Sequence, residues 1–157
     1  MKKLLLSFAC LTQLATAENA FIDKNQPTLE IRVFSGLEAQ QYFDDIANMR
    51  ITLFKEFPYL YQGSIAYEEE YLETYFKSPN ATILLVFDNN KVVGFSNSIP
   101  LAEESDAMKA PFIAKGLDLN NYLYIGEVML YSEYRGQGIL RSYLVKHVKK
   151  STSQPFL

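Results

Sequence analysis

Residues 122–140 read Tyr122-Leu123-Tyr124-Ile125-Gly126-Glu127-Val128-Met129-Leu130-Tyr131-Ser132-Glu133-Tyr134-Arg135-Gly136-Gln137-Gly138-Ile139-Leu140. The first nine are a long, mostly apolar run suited to a strand in the middle of a sheet. The last residues open a helix over 139–150. Leu140, Leu144 and Val148 recur at four-residue steps, and Lys149 and Lys150 fall in the final turn, where cations complement the helix dipole. Between strand and helix stands a turn with two glycines and an arginine, Arg135-Gly136-Gln137-Gly138.

A helix N-terminus presents unpaired N–H groups and a partial positive charge. Glycines adopt dihedrals that other residues resist and let a ligand approach the backbone. Arg135 adds a fork of donors suited to phosphate oxygens. The arrangement therefore suits a pyrophosphate cradle, although the same four residues also suit an ordinary glycine-bearing turn. It is not a P-loop, because no Gly-Lys-Ser/Thr follows. Nor is it a dinucleotide fingerprint, which needs a third glycine in a βαβ unit.

Working back toward the N-terminus, residues 81–87 and 91–96 are β-rich runs joined by Asp88-Asn89-Asn90, a hairpin signal because Asn tolerates positive φ. Residues 28–34 alternate apolar and polar and read as a half-buried strand. Ser35-Gly36-Leu37-Glu38 is a capping box, and it opens a helix bounded by Pro58. Ser64 starts a second helix, which ends at Ser78-Pro79-Asn80. The run Glu68-Glu69-Glu70 near its start reads as a solvated face helped by the dipole. Residues 99–121 form a mixed segment with Pro100 and Pro111 as loop signals. The predicted order is strand, helix, helix, hairpin, strand, helix, an α/β mixed sheet in one domain over 28–157.

With 157 residues the chain is long enough for one real core. A formal charge of -3 argues against a nucleic-acid partner, which needs a concentrated basic face. Nothing is apolar for long enough to span a bilayer as a mature segment. Met1-Lys2-Lys3, the apolar run from Leu4 and Ala15-Thr16-Ala17 read as a signal peptide over 1–17, followed by a linker over 18–27. A short N-terminal helix packed on the domain is the alternative. A working signal implies a periplasmic or secreted protein; otherwise the chain is cytoplasmic. Cys10 is the only cysteine and His147 the only histidine, so neither thiol catalysis in a mature chain nor a metal centre is expected.

Tyr134-Arg135-Gly136-Gln137-Gly138-Ile139, after the strand 124–130, resembles the acetyl-CoA motif of the GNAT acetyltransferase superfamily, Gln/Arg-x-x-Gly-x-Gly/Ala. The element order is similar too. Further segments look like one GNAT subgroup: 56–61 with Gly63-Ser64, Lys91-Val92-Val93-Gly94, and Ile125-Gly126-Glu127-Val128. The resemblance covers about 29–150. It implies acetyl transfer from acetyl-CoA to a small-molecule or peptide amine, without an acyl-enzyme and without a metal. By that likeness the pyrophosphate sits on Arg135, Gly136, Gln137, Gly138, Ile139 and Leu140, and the pantetheine arm runs along Val128, Met129 and Leu130.

Direct transfer needs a group to take a proton from the attacking ammonium. Glu127 is the candidate, lying in an otherwise apolar strand where burial would raise its pKa. The competing reading is a carboxylate tied to a neighbouring amide or Arg. By the same likeness the acceptor enters near Tyr59, Tyr61, Glu103, Glu104 and Asp106. An acidic rim would favour a cationic amine, and a solvated loop accounts for the same residues. His147 reads as part of a packed or solvated helix face.

Departures from the family pattern set further expectations. Leu140 stands where Gly or Ala is usual. The chain ends before the family's next strand, which reads as C-terminal truncation and predicts an exposed edge on strand 122–130. The alternative to an enzyme is a weakly active or inactive GNAT remnant serving as a binding or scaffold domain.

Overall fold

A computed structural model describes residues 3–6 and 29–153; the linker and most of the signal segment expected over 1–17 lie outside the described residues. Ser35 caps as its sequence predicts. Its hydroxyl accepts from the Glu38 amide at 3.4 Å, and the Glu38 carboxylate accepts from the Ser35 amide at 2.8 Å. The helix that follows is not continuous. A short α1 (Gly36–Ala39) passes through a 3-10 turn (Gln40–Tyr42) into α2 (Phe43–Phe54). Ser64 caps α3 (Ile65–Lys77) by accepting from the Tyr67 amide.

The strands are β1 (Lys3–Leu6), β2 (Glu30–Ser35), β3 (Thr82–Asp88), β4 (Lys91–Pro100) and β5 (Tyr122–Leu130), arranged in one sheet in the order β1-β5-β4-β3-β2. β2, β3, β4 and β5 pair antiparallel. The β3–β4 hairpin turns at Asn89, whose φ of 55° is the conformation Asn tolerates. Pro100 ends β4 rather than opening a loop. The following segment is not mainly loop, because it forms α4 (Asp106–Ile113), with Pro111 inside the helix.

Two corrections concern β5. Its expected open edge is half covered, since β1 runs parallel beside it in the register Lys3↔Tyr122 to Leu6↔Ile125. The most buried strands are β3 and β4, in the middle of the sheet, whereas β5 lies next to the edge and alternates between buried and partly exposed residues.

One apolar layer lies between the sheet and α1, α2 and α3, with Ile46, Met49, Leu72, Tyr75, Phe95 and Ile99 almost wholly excluded from water. Burying each such side chain contributes on the order of 1.5–3 kcal/mol. A smaller layer on the other face packs Leu84, Val86 and Val93 under Tyr143 of α5 (Ile139–Ser153). The result is helices on both faces of a mixed sheet, with β5 running into the α5 N-terminus.

Candidate active site

Gly126 breaks the apolar run of β5 because the strand bulges there. Asn97 pairs with Glu127 and Ser98 with Ile125, leaving Gly126 as the extra residue. A Cβ at Gly126 would lie 2.6 Å from the Tyr75 hydroxyl and 2.7 Å from Asn97 Oδ1, so any side chain there would displace both. At the bulge, side chains bond the strand backbone. The Glu127 amide donates to Asn97 Oδ1, and Ser96 Oγ donates to the Glu127 carbonyl, each at 2.8 Å. A glycine inside a strand pattern is the sequence signal for such a bulge.

Glu127 points toward α2 and α3, where Arg50 grips it through Nη1 on Oε1. The Arg50 Nε holds Glu68 in the same way. The side chains of Arg50 and Glu68 are 5% and 0% exposed, and that of Glu127 is 13% exposed. Tyr61 donates to the second Glu68 oxygen at 2.9 Å, and burial with that carboxylate pushes the Tyr61 hydroxyl up to about 12. The Tyr71 ring lies 3.9 Å from the guanidinium carbon of Arg50. Glu127 Oε2 is buried with no partner at full hydrogen-bond geometry, and the Tyr71 hydroxyl is close enough to act on the carboxylate.

Burial raises the Glu127 pKa above the ordinary carboxylate value; Arg50 and, more weakly, the nearby Tyr71 hydroxyl pull it back only in part. Desolvation sets the direction, and the neighbouring Glu68 carboxylate adds a smaller push the same way. Of the two sequence readings of Glu127, the carboxylate tied to a neighbouring Arg is the one seen directly. Glu68 is a correction, because only Glu69 and Glu70 of that acidic run are solvated. Arg50 went unread, although a charge between Met49 and Ile51 in an apolar helix pattern was its signal.

A cleft of about 610 Å³ runs beside β5. Val128, Met129 and Leu130 line it from the strand, and Arg135, Gly136, Gly138, Ile139 and Leu140 from the turn and helix start. Leu53, Phe54, Glu56, Phe57 and Tyr59 line it from the end of α2 and the loop beyond. The structure therefore gathers eight of the nine expected cofactor-side residues into one cavity, and Gln137 is not among its lining residues.

Gly136 and Gly138 have φ of 80° and 75°, and a Cβ at either would touch nothing within 4 Å. Their backbone angles, not crowding, require glycine, and the space beside them is open. The Ser142 amide reaches back to the Gly138 carbonyl at 3.3 Å, so the Ile139 and Leu140 amides precede the helical bonding pattern. Leu140 is 55% exposed and lines the cleft.

His147 is buried between α5 and β4. Ser96 spends its proton on the Glu127 carbonyl, so it accepts from His147 Nε2–H, and Ser98 Oγ donates to Nδ1; both contacts are 2.8 Å. Burial depresses its pKa to about 3, keeping the ring neutral. Of the residues expected near an acceptor, Tyr59 lines the cleft, Tyr61 holds Glu68, and Glu103 accepts from Asn80. Asp106 pairs with Lys109 at the surface. Glu104 is buried, which a solvated-loop reading did not anticipate. Among the described residues, no group of three or more His, Cys, Asp and Glu is placed to hold a metal, and no helix is long and apolar enough to cross a membrane.

A bulged strand thus runs through a glycine turn into a helix, beside a cleft and near a buried carboxylate. The acetyltransferase (GNAT) family model matches residues 46–150, more than half the chain, and the chain belongs to that family. No curated protein is significantly similar to it. Among solved structures it is similar to aminoglycoside N-acetyltransferase AAC(6')-Iy in complex with CoA. That match has 10% identity and a TM-score of 0.56, covering 81% of this chain and 71% of that one. It is also similar to the aminoglycoside acetyltransferase meta-AAC0020 from an uncultured soil metagenomic sample, in complex with sisomicin. There the identity is 17% and the TM-score 0.56, over 82% and 73% of the two chains. A third likeness is to ribosomal-protein-alanine N-acetyltransferase from Brucella melitensis biovar Abortus 2308, at 14% identity and a TM-score of 0.50, over 82% and 74%. At these identities the likeness is one of fold.

Proposed function

We propose that this chain transfers an acetyl group from acetyl-CoA to an amine, with Glu127 as the proton acceptor. The observation that carries the reading is the unpartnered Oε2 of Glu127, buried in the strand that leads into the cleft. The cleft fits the co-substrate. It pairs an open-sided glycine turn and unpaired amides at a helix start with a strand edge beside them. Arg135, Gly136, Gly138, Ile139 and Leu140, with Gln137 between them, would hold the pyrophosphate. Val128, Met129 and Leu130 would hold the pantetheine arm.

Acetyl-CoA, when bound, supplies the acetyl group as a thioester whose sulfur leaves with the bonding electron pair. Glu127 Oε2 takes one proton from the acceptor ammonium, which frees the nitrogen lone pair for attack on the carbonyl; the second proton, shed by the nitrogen once the C–N bond has formed, neutralises the departing thiolate. A raised pKa matches this role, because a base is most effective when its pKa lies near the working pH. Arg50 fixes the carboxylate through Oε1, and Oε2 is the oxygen left to take the proton.

Calorimetric titration with acetyl-CoA, followed by thiol release in the presence of an amine panel, tests the reading. Binding with turnover supports it. Binding without turnover on any amine favours the alternative of a binding or scaffold domain, and no binding by a folded sample overturns it. Export through a signal segment over 1–17 belongs to the same proposal, with Glu18 as the mature N-terminus; processing there would remove β1.

A further inference from the structure

A second cavity, of about 280 Å³, lies between α3, the segment after β4 and β5. Its walls include Tyr67, Glu70, Tyr71, Tyr75, Glu104 and Tyr124, with no Lys, Arg or His among the lining residues. Glu104 is only 7% exposed. Its Oε1 accepts from the Tyr75 hydroxyl at 2.7 Å and its Oε2 from the Ser105 amide at 2.6 Å. No salt bridge of the described residues reaches Glu104 or Glu70. A carboxylate is rarely buried without a cationic partner, because desolvation costs it more than two hydrogen bonds return. Tyr67, Tyr71, Tyr75 and Tyr124 line the void beside it, and aromatic rings attract cations. Tyr71 and Tyr75 stand with ring centroids 5.7 Å apart. Tyr71 also packs on Arg50, so the cavity adjoins the site of Glu127.

We propose that this cavity is a cation subsite for the acceptor: it holds one ammonium of a multiply charged amine while another nitrogen of the same molecule is presented to Glu127. The inference rests on the acetyltransferase reading and narrows it to amines with at least two cationic nitrogens. Glu104 supplies the buried charge and Glu70 a second one at the rim. Aliphatic polyamines and aminosugars share this chemistry.

The test is calorimetric binding of spermidine and, separately, of neamine to the full chain without acetyl-CoA, so that it does not depend on turnover. One saturable site is expected, weakened about tenfold or more in Glu104→Gln and in Glu70→Gln, with acetyl-CoA affinity unchanged. The exposed Glu70 keeps the test valid if Glu104→Gln unfolds. The tighter of the two ligands distinguishes a linear polyamine from an aminosugar. Absence of saturable binding, or binding indifferent to both substitutions, overturns the subsite. Spermidine binding without thiol release from acetyl-CoA for any amine would instead sink the transferase reading and leave the subsite standing.

Discussion

Arg50 binds Glu127 through one carboxylate oxygen and leaves the other buried with no partner at full hydrogen-bond geometry. The same guanidinium binds Glu68, so a single positive charge orients two carboxylates from different elements. Such an arrangement gives Glu127 both a fixed direction and a remaining affinity for a proton.

Glu127→Gln keeps the volume and a carbonyl oxygen for Arg50 but removes the proton acceptor. Turnover is expected to fall by about 10²- to 10⁴-fold, with acetyl-CoA affinity unchanged in calorimetry. Loss of turnover and binding together would assign Glu127 a structural role.

Arg50→Met should destabilise the fold by roughly 3–5 kcal/mol, because Glu68 and Glu127 would stay buried without their cation. Urea unfolding measures this. A double variant, Arg50→Met with Glu68→Gln, should recover part of the loss, since one of the stranded charges is gone.

Gly136→Val and Gly138→Val place a β-branched residue at φ near 80° and 75°. Each should cost roughly 1–2 kcal/mol in stability and weaken acetyl-CoA binding, since the turn would leave the conformation that opens the cleft. Unchanged affinity in folded variants would remove the turn from the binding site.

His147 makes stability fall in acid. Its folded pKa, about 3, lies below the ordinary 6.5, so between these values the unfolded chain binds a proton that the folded chain does not. Stability is therefore lost as pH drops through that window, by up to about 1.4 kcal/mol per pH unit. The raised pKa of Glu127 acts oppositely, favouring the folded state on the acid side. Denaturation of His147→Leu from pH 7 to 4 should show a shallower loss than the native chain. An identical slope would contradict the burial of a neutral ring.

Processing after Ala17 would strip β1 from β5. Intact mass of the chain from fractionated cells should show a start at Glu18. Backbone amides in the stretch that pairs with β1, Tyr122 to Ile125, should then exchange faster than in the full-length chain. A full-length chain at its working location would refute export by this segment.

Periodicity and local chemistry made most elements legible. Ser35 with Glu38, Ser64, Asn89 and the pair Gly136 and Gly138 each act within a few residues, so a linear reading could place them. The 3-10 break over Gln40–Tyr42 and the helix around Pro111 were not read, because tertiary packing rather than propensity decides them. β5 looked like a central strand because it is apolar, yet its place beside β1 depends on which strands pair across the sheet.

The chain's own order determined the strand, glycine turn and helix of a GNAT domain, and with them one wall of the cleft. Local rules suffice there, since the turn's angles and the helix-start amides come from neighbouring residues. Only the folded structure joined Arg50 to Glu68, 18 positions on, and to Glu127, 77 positions on. It alone buried Glu104 beside a cavity of tyrosines. Burial and charge compensation are properties of the whole packed domain, and no window of sequence contains both a carboxylate and the distant groups that decide its charge.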